Sequence, residues 1–332
     1  MRREAASALA WGSDGKKGGP DPLAAKALLP VLFDTLSDTD AGVRTRAAIA
    51  WVRFNGHRRP PEREAQVALQ LLLDAMQDSD TKVRRGVASS LVKVNRDPKV
   101  VLAPLTKLLR DSDKDVRAEA ALALSAVDPR VAAVPSLIGA LDDESALVRL
   151  YAARILARIG EPAKAAVPRL IAALKDSDKE VRSSAAGALG NIRTEAKASV
   201  PALIDCLKDK GTREDAAWAL GRFGPAAKTA VPALLQTLND RDEYVRMKVL
   251  ESLVKIDPEG EKTQAALVAA LKDEEVRGRA AWLCGGLGPK AKAAVPALIA
   301  LLKDEQDEGV RSSAGTALKK IDPEAAKKAG VK

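Results

Sequence analysis

Apolar residues recur three and four positions apart in block after block, separated by short polar stretches rich in Asp, Ser and Lys. That spacing is helical, because such residues share one face of a 3.6-residue turn. Two kinds of block alternate. The first is typified by Ala165-Ala166-Val167-Pro168-Arg169-Leu170-Ile171-Ala172-Ala173-Leu174-Lys175, and Pro104, Pro135, Pro168, Pro201, Pro232 and Pro296 recur near its start. Proline suits a first helical turn, whose N–H groups lack intrahelical acceptors. The second block opens on a Val-Arg dyad at Val43-Arg44, Val83-Arg84, Val116-Arg117, Val148-Arg149, Val181-Arg182, Val245-Arg246, Val276-Arg277 and Val310-Arg311. Thr212-Arg213 and Met1-Arg2 hold the same place in two degenerate copies. Three residues before the Val-like position stands Asp40, Asp80, Asp113, Asp178, Asp209, Asp242, Asp273 or Asp307, with Ser145 in the remaining copy. Each predicts an N-cap, since its side-chain oxygen accepts from a first-turn N–H. Gly160, Gly224, Gly288 and the pairs Asp128-Pro129, Asp257-Pro258 and Asp322-Pro323 predict helix ends.

From Arg84 onward the dyad arginine returns every 31 to 34 residues. The earlier steps, from Arg2 to Arg44 and from Arg44 to Arg84, are 42 and 40 residues long. Loop insertions at 12–22 and 56–61 account for both. The period predicts an all-α chain of about nine helical hairpins over 1–332, forming a single solenoid domain. Residues 1–11 are a half-repeat, a lone second helix, which points to a native polypeptide extending upstream or to a solenoid that opens on one helix. Counting from the dyad arginine as zero, positions −1, +3, +7 and +10 fall on one side of the second helix. Position +7 is Leu in eight of ten copies, and +3 and +4 are each Ala in eight of ten. Small residues there let neighbouring helices approach closely, and no hairpin buries its apolar stripe without the next. Ala185 and Ala186 are therefore expected in the interior.

The unit Ala166-Val167-Pro168-x-Leu170-Ile171-x-x-Leu174-Lys175-Asp176-x-Asp178-x-x-Val181-Arg182-x-x-Ala185-Ala186-x-Ala188-Leu189-Gly190-x-Ile192 resembles HEAT repeats, specifically the bacterial phycocyanobilin-lyase-type HEAT-like kind. The resemblance covers essentially the whole chain and rests on packing residues, so it speaks to fold. It implies a right-handed α-solenoid whose second helices line the concave side. It also brings three functional precedents: protein scaffolds, alkylpurine DNA glycosylases and help with tetrapyrrole attachment.

Composition narrows the chemistry. Three Phe, four Trp, two Tyr and three Met are few for one deep core in 332 residues, so Leu, Ala and Val fill many thin layers. Lysine and arginine exceed the acids by 54 − 45 = 9, which permits an acidic partner. No apolar stretch approaches the ~20 residues of a membrane span, and no secretion signal is visible. Cys206 and Cys284 stand apart without metal or redox spacing and read as buried thiols in a reducing, cytoplasmic setting. His57, in the basic loop, is the only histidine, so nucleophile–base chemistry and metal binding lack parts. The iron-binding His-Glu pairs of the HEAT-like deoxyhypusine hydroxylases have no counterpart here. Neither a cofactor nor a metal is expected, and the chain reads as non-enzymatic.

The variable positions carry what functional signal there is. Position +5 lies nearly opposite the core stripe and holds Trp218 and Trp282 two repeats apart, with Arg154 earlier. Position +9 is basic at Arg53, Lys93, Arg158, Arg222, Lys255 and Lys320. Two readings stand for each. The tryptophans are either binding anchors or rings tucked under a neighbour, and the cations either form a recognition stripe or complement helix C-termini. The binding reading assigns Arg154, Arg158, Trp218, Arg222, Lys255 and Trp282 to one groove of about 40 Å, given helices ~10 Å apart. Its ligand is a protein or acidic peptide segment presented to an extended scaffold. Nucleic acid is the alternative favoured by the basic stripe and opposed by the interleaved acids. Bilin attachment is a third.

Overall fold

The computed structural model describes residues 34–36, 38–55, 62–127, 131–303 and 307–331. The half-repeat 1–11, the insertions 12–22 and 56–61 with His57, and the pair Asp128-Pro129 lie outside the described residues. The chain divides into two compact units, residues 1–159 and 160–332. In unit 1, helices α1 (Ala41–Asn55), α3 (Thr81–Val94), α5 (Lys114–Ser125) and α7 (Ala146–Ile159) are the second helices of their repeats. Between them come the first helices α2 (Glu62–Asp74), α4 (Pro98–Leu108) and α6 (Val134–Ala140). Unit 2 continues the alternation. Its first helices are α8 (Val167–Ala173), α10 (Ala196–Cys206), α12 (Val231–Thr237), α14 (Glu261–Ala270) and α16 (Val295–Leu301). Its second helices are α9 (Lys179–Ile192), α11 (Arg213–Phe223), α13 (Glu243–Ile256), α15 (Arg277–Leu287) and α17 (Glu308–Ile321), and a short helix α18 (Pro323–Lys328) packs on α17. The described residues are thus an all-α array of stacked hairpins.

Local chemistry sets most boundaries where the spacing placed them. Asp80, Asp113, Asp178, Asp242 and Asp307 cap α3, α5, α9, α13 and α17 through side-chain bonds to first-turn N–H groups. Asp209 and Asp273 do not. There the dyad arginine follows four residues after the aspartate instead of the six that separate Asp176 from Arg182, the helices begin at Arg213 and Arg277, and their N-caps are Thr212 and Val276. Pro135, Pro168, Pro232 and Pro296 sit in the first turn as expected, each after a 3-10 segment or turn. Pro104 and Pro201 instead lie inside helices, because α4 starts early on the Asp97 cap and α10 starts at Ala196. Gly160, Gly224 and Gly288 end α7, α11 and α15 at φ +70°, +57° and +58°, a region where a side chain is strained.

Second helices pack side by side through small residues. Ala47, Ala120, Ala152, Ala185, Ala216, Ala280 and Ala314 at +3 are all fully buried, as is Ala186 at +4. Gly190, Gly221 and Gly285, all at +8, mark the closest approaches. A Cβ at Gly190 would stand 2.9 Å from the Ala219 Cα, and one at Gly285 3.0 Å from the Ala317 Cα. The pair α13 and α15 lacks this notch. Val254 takes the +8 place and faces the +6 place held by Leu283, while Leu250 replaces alanine at +4, and the two helices meet more loosely than their neighbours do. Cys284 at +7, smaller than the usual leucine, shares a core cluster with Leu250, Leu267, Leu298 and Leu318. Excess volume at one position is offset by a deficit at another.

Candidate functional site: the outward face of the second helices

The dyad arginines are structural. Arg84 Nη1 donates to the Asp78 and Ser79 carbonyls of its own loop at 2.8 and 3.3 Å. Its Nε and Nη2 fork onto Asp111 of the next repeat at 2.8 and 3.0 Å. Arg117 and Arg246 repeat the fork on Asp143 and Asp273, Arg182 reaches Asp209 through Nε, and Arg213 reaches Asp240 through Nη1. Arginine suits the place because its planar fork serves a carboxylate and carbonyls at once. This ladder went unrecognised in the pattern, although the constant offset of 26 or 27 residues between each Arg and its Asp is visible there. Surface clefts of about 750 Å³ beside Arg84 and Asp111 and about 890 Å³ beside Arg213, Asp240 and Tyr244 open onto it.

Opposite the core stripe of unit 2, the +5 positions of α9, α11, α13, α15 and α17 hold Gly187, Trp218, Glu251, Trp282 and Thr316. The two tryptophans differ. Trp218 is partly buried and lies against Gly190, where a Cβ would come within 2.8 Å of its Cζ3. Trp282 is 58% exposed. The place equivalent to Gly190 is Val254, whose branched side chain removes the notch into which a ring could settle. The Arg279 guanidinium stands over the Trp282 ring at 4.1 Å, and Arg222 over Trp218 at 5.6 Å. Both are within cation–π range. Arg222 is exposed, with its Nε 3.4 Å from the Gly190 carbonyl, and Lys255 is exposed on the same face. Glu251, in contrast to its +5 neighbours, is buried: Arg279 Nη2 donates to its Oε1, and Lys248 Nζ lies 3.7 Å from its Oε2. Neither Arg279 nor Glu251 was singled out from the pattern. Arg279 was nonetheless legible, three residues before Trp282 on a helix, the spacing at which side chains meet.

In unit 1 the same register is less uniform. Ile49 at +5 is 1% exposed, a core residue that departs from the outward expectation, whereas Leu122 is 43% exposed. Arg154 and Arg158 are exposed on α7, and Arg158 donates to the Ser125 carbonyl at the end of α5. That bond is the helix C-terminal role of a cation. The Arg53 side chain lies outside the described residues.

Reactive groups elsewhere are turned inward. Burial pushes the Cys206 and Cys284 thiols up to about 11, so neither is a nucleophile near neutral pH. Asp215, partly buried, accepts a 2.6 Å hydrogen bond from Ser183 Oγ; burial raises its pKa, and the nearby Glu180 charge adds to that. Among the described residues no group of three or more His, Cys, Asp or Glu is placed to hold a metal ion, and no helix is long and apolar enough to cross a membrane.

A family profile described as HEAT repeats matches residues 29–125, 69–145, 134–221, 200–275 and 265–329. The chain belongs to the HEAT-repeat family. Among solved structures, an engineered protein from the Northeast Structural Genomics Consortium is similar to this HEAT-repeat chain over 96% of its length and 94% of the other's, at a TM-score of 0.64 and 25% identity. A chain from the structure in which Kap95p binding induces the switch loops of RanGDP to adopt the GTP-bound conformation is similar at a TM-score of 0.58 and 14% identity. That likeness covers 99% of the present chain and 51% of the other, so the HEAT-repeat chain spans about half of that relative. No curated protein sequence matches it.

Proposed function

We propose that this HEAT-repeat chain is a non-enzymatic scaffold that binds a protein segment on the outward face of its second helices. In unit 2 the anchors are Trp218 and Trp282, with Arg222 and Lys255 beside them. Arg154 and Arg158 offer a separate basic pair in unit 1. The observation that carries the reading is Trp282, 58% exposed and stacked by Arg279. A large indole left in water forgoes the apolar burial that partner binding recovers, and tryptophan and arginine dominate binding hot spots. In the similar solved structure Kap95p binds RanGDP, a parallel at the level of fold only. The buried thiols fit a reducing cytoplasm.

The test is affinity measurement with the principal partner recovered on the full chain. Trp282→Ala should weaken it by more than ~1 kcal/mol with little change in folding stability. Arg222→Glu should weaken it further and flatten its salt dependence. A large stability loss with unchanged affinity makes Trp282 a packing residue and sinks the proposal. An affinity for oligonucleotide that collapses between low and physiological salt replaces the partner class with nucleic acid. Bilin attachment, the finer reading of the repeat subtype, predicts an absorbance change on mixing with a free bilin.

A further inference from the structure

The three second helices α13, α15 and α17 present an unbalanced set of charges. At their outward positions +1, +2, +5 and +9 stand Lys248, Lys255, Arg279 and Lys320, against Glu251 as the one carboxylate. Lys255 and Lys320 are exposed. Glu251 sits where the flanking repeats carry Trp218 and Trp282, and it is drawn inward between Arg279 and Lys248, whose side chains remain 36% and 30% exposed. One Nη of Arg279 donates to Glu251, and its Nε is buried without an acceptor, so the exposed part of the side chain that a ligand meets is at the Nη end. A guanidinium carries five N–H donors and takes carboxylates two donors at a time.

Trp282 narrows the ligand further. Arg279, centred 4.1 Å from its ring, already occupies one π-face with a cation. Lys248 and Lys255 lie in the adjoining register. A second cation on the open face would gain little from a ring already polarised and would meet the local positive field. An aliphatic side chain meets no such opposition, and Gly286, whose Cβ position opens on empty space, leaves room beside the ring.

We propose that Arg279 and Lys248 form a carboxylate-docking subsite beside Trp282, that Glu251 occupies it in the free protein, and that the segment bound on this face is an acidic one. The partner's carboxylate takes over Arg279 and Lys248 from Glu251 while a neighbouring aliphatic side chain lies on the indole. The inference rests on the scaffold reading above and adds the partner's chemistry and an internal competitor.

The probes are labelled synthetic peptides, one of repeating Asp-Asp-Leu and one of repeating Lys-Lys-Leu, titrated against the full chain by fluorescence anisotropy. Glu251→Gln keeps the side-chain shape and an acceptor for Arg279 while removing the competing charge. It should bind the acidic peptide at least threefold tighter and leave the basic peptide unbound, and adding Arg279→Gln should abolish the gain. Lys248→Gln supplies an arm that does not depend on Glu251, and should weaken the acidic peptide at least twofold. Unchanged or weaker acidic binding in a folded Glu251→Gln protein overturns the subsite, as does an unaffected Lys248→Gln variant. If Trp282→Ala still loses binding in that case, the anchor reading survives and only the subsite falls. If no variant, Trp282→Ala included, alters peptide binding, both readings fall together.

Discussion

Two tryptophans in one register end in different surroundings because of a single neighbour each. Gly190 gives Trp218 a notch, and Val254 denies one to Trp282. Gly190→Ala tests this. Alanine in a helix interior normally gains up to ~1 kcal/mol over glycine. Here its methyl would stand 2.8 Å from the Trp218 ring and 2.9 Å from the Ala219 Cα, and the second contact is backbone that cannot swing away. The variant should lose about 1–3 kcal/mol of stability through overpacking, with Trp emission shifted to the red as the ring is pushed into solvent. Asp215 yields a second prediction at this scale. Burial raises its folded pKa above the unfolded value, so the protonated form is the one favoured by folding. Its contribution is therefore fully present below the unfolded carboxylate pKa of about 3.9 and is lost as pH rises through the raised folded value. Denaturation midpoints of Asp215→Asn across that window should lack this decline, and a slope identical to the parent protein's would refute it. The outward register of the tryptophans could be read from 100° per residue. Their unequal exposure could not, because it depends on a residue of the preceding helix.

At the level of the element, the recurring arginine joins two repeats rather than serving one. The Arg84 and Asp111 side chains are 13% and 8% exposed, so each would be stranded without the other. Asp111→Ala should cost about 3 kcal/mol, since it leaves a poorly solvated guanidinium without its partner. The acid limb follows from the same contacts. Burial alone would raise the Asp111 pKa, but the bonds from Arg84 and the Asp113 N–H outweigh it and the net shift is downward; Asp209, helped first by the Gly211 N–H, moves the same way. A lowered folded pKa contributes stability above the unfolded value of about 3.9 and loses it as pH falls through the folded value. Acid unfolding of the parent should therefore begin below pH ~4, and that limb should be shallower in Asp111→Ala. A midpoint within 0.5 kcal/mol of the parent would make the ladder incidental. The pattern displayed the dyad and most of the caps because those are local signals. It misplaced Asp209 and Asp273 because in these two 31-residue repeats the one aspartate answers to the previous repeat's arginine, a demand that no local rule contains.

Over whole units, a repeat array holds together through nearest-neighbour interfaces, so it opens where an interface is weakest. The period made that architecture legible from sequence; the partner was not, because packing residues repeat and binding residues vary. Within unit 2 the weak interface is the one between α13 and α15, where Leu250, Val254 and Leu283 stand in places that carry alanine, glycine and alanine in most other repeats of the unit. The two cysteines report on it. Burial is what raises both thiols, and opening removes it, so each reacts from its opened state as an ordinary thiol and labelling rates measure how readily each is exposed. Static burial favours Cys206, which is 8% exposed against 0% for Cys284. An opening between α13 and α15 reverses that order, because Cys284 lies on α15 in the core cluster that Leu250 helps to close. In single-cysteine variants, Cys206→Ala should leave a thiol that is labelled faster, under mild denaturant, than the one left by Cys284→Ala. Leu250→Ala strips one wall from that cluster, so it should speed the Cys284 reaction further and leave the Cys206 rate near that of the parent protein. Equal labelling at both cysteines, or a rate at Cys284 untouched by Leu250→Ala, would show that the repeats of unit 2 open together and that the wide interface has no bearing on stability.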